Sequence, residues 1–504
     1  MSETLPNGWS IVTLGEILPL TYGKSLVEDQ RDPNGKIPVY ASSGLVGMHA
    51  NALIDEPAII VGRKGNVGAV YLCSGPSWII DTAYYAGGFG ILNLSFFYHL
   101  LAYLRLAQLD RSTAVPGLGR DDYNVVEIKL PPQDEQARIV AEIEKQFTRL
   151  DAAVAALKRV RANLKRYRAS VLKAACEGRL VPTEAELARK EGRSYETGEL
   201  LLSRILKERR AKWEADELAK MLSSGKPPKS DDWKKKYEDP RAPNTGALPK
   251  LPDGWVWSSL DQLICSGPQN GLYKPVSAYG SGMPILRIDD FQLDFCKPRE
   301  ELRCLHTSAA EDTLYALAPG DIVLNRVNSP SHLGKSTVVT TALCPCVFES
   351  NMMRFHASDF VNPEWVTSVL QTVDGKARLT ANAKWAVNQA SINQQDVKHT
   401  PVQLPPVAEQ TRILDAVKKQ LSINSKTDEE VHGTIRHADR LRQSILKRAF
   451  EGKLVPQDSN DEPASTLLER IRARSVDSSL ARVKKNPSTK NLSKKAASAM
   501  ATPK

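Results

Sequence analysis

Gly62-Arg63-Lys64-Gly65-Asn66-Val67-Gly68 follows the apolar run PAIIV and sets two cations and an amide on a glycine-rich turn. Glycines let a backbone come close to a phosphate, and Arg or Lys there can hold phosphate oxygens or read a guanine edge. In the second half of the chain, Asn325-Arg326-Val327-Asn328-Ser329-Pro330 follows the run GDIVL, with Lys335 just beyond. Asn and Arg suit adenine and guanine edges. Lys376, Arg378 and Lys384 lie in GKARLTANAKWAVNQASIN and could hold phosphates, beside the amides of Asn388 and Gln389. Each stretch also has a plainer reading: a solvated hairpin turn, or a turn capped by its own Asn and Ser side chains.

Bond-breaking chemistry finds no such foothold. Gly334-Lys335-Ser336 supplies the end of a phosphate-binding loop, but Ser329 stands where its first glycine is required. No N-P-P-Y or D-P-P-Y tetrapeptide occurs; Asn362-Pro363-Glu364-Trp365 lacks the second Pro and the Tyr. Neither H-E-x-x-H nor G-x-S-x-G is present. The seven cysteines and eight histidines show no metal-ligand spacing; Cys344 and Cys346 approach only as C-P-C. They read as reduced, mostly buried thiols of a cytoplasmic protein, with no catalytic, cofactor or metal site in this chain. The start MSETLPNGW lacks a secretory pattern, and no 18-residue apolar run announces a membrane span. Carboxylates are plentiful, so a divergent nuclease site among them stays open.

What must position these residues is a duplicated frame. LPNGWSIVTLGEI (5–17) recurs as LPDGWVWSSLDQLI (251–264), and LPPQDEQARI (130–139) as LPPVAEQTRI (404–413). LKAACEGRLVP (172–182) recurs as LKRAFEGKLVP (446–456). From Leu130 to Pro182 the two copies align without a gap, 20 of 53 residues being identical, mostly at the two ends. Prolines before the segment, acids in its first turn, and Gly178 or Gly452 followed by Pro182 or Pro456 punctuate one long helix per copy. Apolar residues fall on a 4-3 pattern: Ile143, Phe147, Leu150, Val154, Leu157, Leu164 and Val171, matched by Val417, Leu421, Asn424, Asp428, Val431, Ala438 and Ile445. That is a heptad seam with polar breaks, and two seams of equal length favour mutual pairing. Arg168 and Arg442 are seam positions too costly to bury unpaired, which places them near its open end.

Short β-rich runs bounded by Gly, Pro, Ser and Asn fill the regions before each helix: IPVY, PAIIVG, VGAVYL and WIID, then MPILRI, GDIVLN, STVVTT and CVFES. The net charge of +10 is uneven, because residues 482–504 alone hold seven Lys/Arg and no acid. Residues 1–132 carry nine basic against twelve acidic residues and 248–405 thirteen against fifteen, whereas 133–182 carry eleven against six. A DNA partner therefore does not follow from pI; the helices and local clusters would have to supply phosphate contacts.

In order and in duplicate, L-P-x-G-W, L-P-P-x-x-E-Q and E-G-[RK]-L-V-P resemble the specificity (S) subunits of type I restriction–modification systems. IIVGRKGNVGAVYL…WIIDTAYYA and LRIDDF…LAPGDIVLNRVNSP…NQASIN strengthen the likeness, which spans about residues 5–475. The resemblance implies an α+β chain: two mixed, strand-rich target-recognition lobes joined by two long helices in an antiparallel coiled coil of pseudo-twofold symmetry. The divisions expected are lobe 1 (1–132), spacer helix 1 (133–182), a charged helical linker (183–247), lobe 2 (248–405), spacer helix 2 (406–456) and a C-terminal segment with a disordered basic tail (457–504). Each lobe would read one half of a bipartite double-stranded DNA target. Two methyltransferase (M) subunits would dock on the helical regions and restriction (R) subunits would join them, bringing S-adenosylmethionine, ATP and magnesium. Glu135, Gln136, Glu177, Gly178, Glu409, Gln410, Glu451 and Gly452 are expected as helix caps and docking residues. The alternatives are a duplicated coiled-coil adaptor that binds only proteins, and an enzyme with a divergent nuclease site.

Overall fold

The computed structural model describes residues 5–87, 91–110, 116–292, 295–329, 332–386 and 389–473. The expected disordered basic tail lies outside these residues beyond 473, as does Asn388, and Asn328 is described by its backbone alone. The chain divides into two compact units, Met1–Lys158 with His432–Lys504, and Arg159–Val431. The unit boundaries do not follow the sequence repeat. Each unit takes one lobe, the start of that lobe's own long helix, and the end of the other copy's helix with its trailer.

In the first unit, β1 (Thr21–Tyr22), β2 (Ala58–Gly62), β3 (Val70–Cys73) and β4 (Ala83–Gly87) form an antiparallel sheet in the order β1-β4-β2-β3. In the second, β5 (Ile264–Asn270), β6 (Asp321–Asn325), β7 (Ser336–Val338) and β8 (Met352–Ala357) repeat it as β5-β8-β6-β7. β2 and β6 are buried along their whole length, which is why both read as continuous apolar runs rather than alternating ones. A smaller three-stranded sheet accompanies each. In both, one antiparallel and one parallel pairing flank a central strand, Ile37–Ala41 or Tyr279–Leu286. Ser10–Thr13 pairs with Glu127–Leu130, and Val256–Ser259 with Pro401–Leu404, so each lobe's first and last strands meet where the long helix departs.

The long helices are α1 (Gln133–Cys176) and α3 (Val407–Phe450), with α2 (Gly198–Ser223) in the linker between copies. All six heptads thus lie within single helices. α1 and α3 run antiparallel within each unit. In the second, Arg161 pairs with Asp428 (2.9 Å), Asn424 Nδ2 donates to Leu164 O (3.0 Å) and Tyr167 bonds Gln420 (3.1 Å). The polar breaks at 424 and 428 are therefore cross-helix contacts. In the first unit Arg442 pairs with Asp151 and lies 4.9 Å from the Phe147 ring centroid. Arg442 is thus paired along the seam, not at an open end; Arg168, in the second unit, is half-buried.

The repeated phrases interlock across copies. Gly178 has φ +67° and a Cβ there would lie 2.6 Å from Pro252 Cγ; Gly452 has φ +70° and faces Pro6 Cγ at 2.7 Å. Both end their helix with the same pair of capping bonds, Gly178 N to Ala175 O with Arg179 N to Ala174 O, and Gly452 N to Ala449 O with Lys453 N to Arg448 O. The glycine of one copy thus seats the L-P-x-G-W of the other.

Candidate nucleic-acid interface

The E-Q pair that opens each long helix is sealed inside. Glu135, Gln136, Glu409 and Gln410 are each 0 to 1% exposed. Trp9 Nε1 donates to Glu135 Oε2 (2.9 Å) and Trp255 Nε1 to Glu409 Oε1 (2.9 Å). Gln136 Nε2 donates to Pro131 O and Gln410 Nε2 to Pro405 O. These four residues bind the lobe to its own helix and offer no docking surface, which corrects half of the role expected of them. Arg138 and Arg412, three residues after the glutamates, grip the other copy's trailer through Asp461 (2.6 Å) and buried Glu184 (2.6 Å). Glu177, Gly178, Glu451 and Gly452 are partly exposed and end the helices.

Burial pushes the Glu135 and Glu409 carboxyls above the ordinary value, against the lowering effect of their tryptophan donors. Burial also opposes ionisation of Glu184, yet Arg412 and Arg193 together hold it below the usual range.

The two arginines singled out from sequence occupy matching places. Arg63 directly follows β2 and Arg326 directly follows β6. Arg63 N and Lys64 N both donate to Thr82 O; Arg326 N and Val327 N both donate to Asn351 O. Arg63 Nη1 then donates to Asp81 O (2.8 Å), and Arg326 Nη1 to Ser350 O (3.3 Å), in each case two residues before the next strand of the sheet. A Cβ on Gly62 would lie 2.0 Å from Asn66 O, so only glycine allows this turn in the first lobe. Neither arginine has a carboxylate partner among the described residues. Unopposed guanidinium groups on ordered turns are suited to phosphate oxygens or guanine edges.

Around Arg63, Lys64 and Asn66 are exposed. Two residues missed in the sequence complete this surface. The Arg63 and Arg120 guanidinium carbons lie 5.3 and 5.5 Å from the ring centroid of Tyr22, and Tyr22 packs edge-on to Tyr84 at 5.0 Å. Burial pushes the Tyr84 hydroxyl up to about 12, so it stays neutral while donating to Leu118 O (3.0 Å). No local pattern marks Tyr22 or Arg120, because strand pairing and the Leu118 N to Arg63 O bond bring residues 22, 63 and 120 together.

The remaining candidates separate into surface and scaffold. Lys384 and Gln389 are exposed on a small sheet that also includes Val327–Asn328. Asn325 is wholly buried and donates to His332 O, so it shapes the turn that carries Arg326 instead of facing outward. Lys335 donates to Ile288 O and sits 4.6 Å from the Phe291 ring centroid, with its pKa lowered by burial. Arg378 donates to Pro401 O and lies over Trp257 at 5.2 Å. Lys376 is half-buried. Asn325, Lys335 and Arg378 are thus engaged within the lobe.

Among the described residues no group of three or more His, Cys, Asp or Glu could hold a metal ion, and no helix is long and apolar enough to cross a membrane. Of the cysteines, Cys73, Cys176 and Cys346 are buried, Cys265 is exposed and the others are intermediate.

Two lobes built on the same framework, each presenting an arginine held by the same bonds, make the duplication structural as well as sequential. Residues 6–164 match the family described as Type I restriction modification DNA specificity domain. The Type I restriction enzyme EcoDI specificity subunit of Escherichia coli is 22% identical over 482 residues, covering 93% of this chain and 96% of that one. The EcoKI specificity subunit of Escherichia coli (strain K12) is 26% identical over 233 residues, 44% of this chain and 50% of that one. A solved chain from work on complex assembly and conformational transition of the type I R-M system shares the fold, with a TM-score of 0.55, 18% identity, and coverage of 90% of this chain and 100% of that one. Over nearly its whole length the chain is thus similar to type I restriction enzyme specificity subunits, and residues 6–164 carry the specificity-domain pattern.

Proposed function

We propose that this chain is the DNA-recognition subunit of a type I restriction–modification assembly, each lobe reading one half of a bipartite duplex target. The observation that carries this reading is the matched pair Arg63 and Arg326, each following the same strand of the same sheet, tied to an equivalent carbonyl and lacking a carboxylate partner. Lobes that share a framework but differ in surface residues suit a target with two unlike halves. The net acidic balance of each lobe is compatible with this, because phosphate binding depends on local clusters.

Methyltransferase subunits dock on the helical regions, with restriction subunits joining them. In the second unit, Val160, Tyr167 and Ile423 are exposed on the long helices beside exposed Arg159 and Arg166, a mixed apolar and basic surface suited to a protein partner. S-adenosylmethionine, ATP and magnesium belong to those partners.

The test is to map methylation in a host carrying this chain with its methyltransferase partner, against the partner alone. A bipartite motif that depends on this chain is the expected result. No such motif, together with no methyltransferase copurifying, would overturn the reading.

A further inference from the structure

Hydrogen bonds match positions between the two lobes more finely than sequence does. Tyr22 pairs with Tyr84, which pairs with Val61; Asn270 pairs with Met353, which pairs with Leu324. One residue on, Gly23 and Gly271 make the same close approach. A Cβ on Gly23 would lie 2.1 Å from Ile80 O, and one on Gly271 2.2 Å from Glu349 O. Tyr22 therefore corresponds to Asn270.

Leu118 N donates to Arg63 O and Ile392 N to Arg326 O, both at 2.9 Å. Two residues after each, a five-residue helix begins: Arg120–Asn124 and Gln394–Lys398. Arg120 therefore corresponds to Gln394. The triplet Tyr22, Arg63, Arg120 in the first lobe thus becomes Asn270, Arg326, Gln394 in the second.

Tyr22, Arg120, Asn270 and Gln394 are exposed, and both central arginines are half-exposed. Exposure is matched by unused hydrogen-bonding capacity. Arg120 has no carboxylate partner, and the Asn270 and Gln394 amides have no hydrogen-bond partner, among the described residues.

We propose that these three framework positions form the contact triad of each lobe, and that their different occupants make the two half-sites differ. This deepens the DNA-recognition reading and rests on it. In the first lobe two guanidinium groups converge on one ring, a site for phosphate oxygens or guanine O6 and N7. In the second, Asn270 and Gln394 each offer a donor and an acceptor side by side, the pattern that matches adenine N7 and N6. The arginine common to both supplies a shared contact.

The test uses the full chain with its methyltransferase partner and single-base methylation mapping. Asn270→Ala and Gln394→Ala should each relax one half of the motif, with discrimination at a single base falling by about 5- to 150-fold, the range for losing one bidentate contact. The double change Tyr22→Asn with Arg120→Gln should alter only the other half. Arg120→Gln alone should reduce the salt slope of duplex binding by about one. All these positions are exposed, and unchanged thermal unfolding checks that the variants fold. Variants that direct methylation at the wild-type motif, or that disturb both halves alike, would overturn the triad. A wild-type chain that directs no bipartite methylation would overturn the DNA-recognition reading and the triad with it.

Discussion

Replacing Trp9 by Phe keeps an aromatic ring in the core and deletes one hydrogen bond, the donor to Glu135. Glu135 has no second donor, since its Oε1 is buried without a hydrogen-bond partner. Glu409 differs: Trp255 holds one oxygen, and Glu184 N donates to the other at 2.8 Å. A hydrogen bond to a charged group contributes about 1.5–3 kcal/mol. Trp9→Phe should therefore cost about that much at neutral pH, and Trp255→Phe should cost less because one donor remains. The pH dependence separates this account from simple loss of packing. Burial raises the folded-state pKa of Glu135, so its stabilising contribution is present below the unfolded value and lost as pH rises through the folded one. Removing Trp9 raises that pKa further. The penalty of Trp9→Phe should consequently be greatest when Glu135 is ionised and shrink as pH falls toward its ordinary range. Hydrogen exchange over residues 136–143, with 410–417 for the Trp255 variant, reads each site separately, always against the parent chain at the same pH. A Trp9→Phe chain as protected as the parent at pH 7, or a penalty that grows on acidification, would refute the reasoning.

Gly178→Ala and Gly452→Ala should each lose more than about 1 kcal/mol, because both combine a left-handed backbone with a Cβ that meets a proline ring; chemical denaturation monitored at Trp255 or Trp9 measures it. Arg412→Ala should cost less than the about 3–5 kcal/mol of leaving a buried charge unpaired, because Arg193 keeps its 2.6 Å pair with Glu184; proteolysis of the 183–191 segment should accelerate. Asp428→Ala should cost no more than about 1 kcal/mol, since its pair with Arg161 is part-exposed, and the loss should diminish at high salt. One extra heptad after Ala156 and one after Gly433 should change the gap in the chain-dependent methylation motif while leaving the bases of each half unchanged.

The sequence by itself determined the duplication, the helix limits and the strand-rich character of the lobes. Each is written locally: prolines before and glycines after a long helix, a 4-3 apolar pattern along it, and short β-rich runs between breakers. Arg63 and Arg326 were legible for the same reason, as cations on turns after apolar strands. Tertiary structure alone decided which copy each phrase serves. Gly178 seats Trp255 and Gly452 seats Trp9, because antiparallel helices carry each helix end to the opposite copy's lobe. It also decided that Glu135 and Glu409 are buried hydrogen-bond acceptors and that Asn325, Lys335 and Arg378 are engaged inside the lobe, since a side chain's burial depends on what packs over it. The correspondence of Tyr22 with Asn270 and Arg120 with Gln394 arises the same way, from strand register and backbone bonds between segments far apart in the chain. No spacing along one copy contains that information.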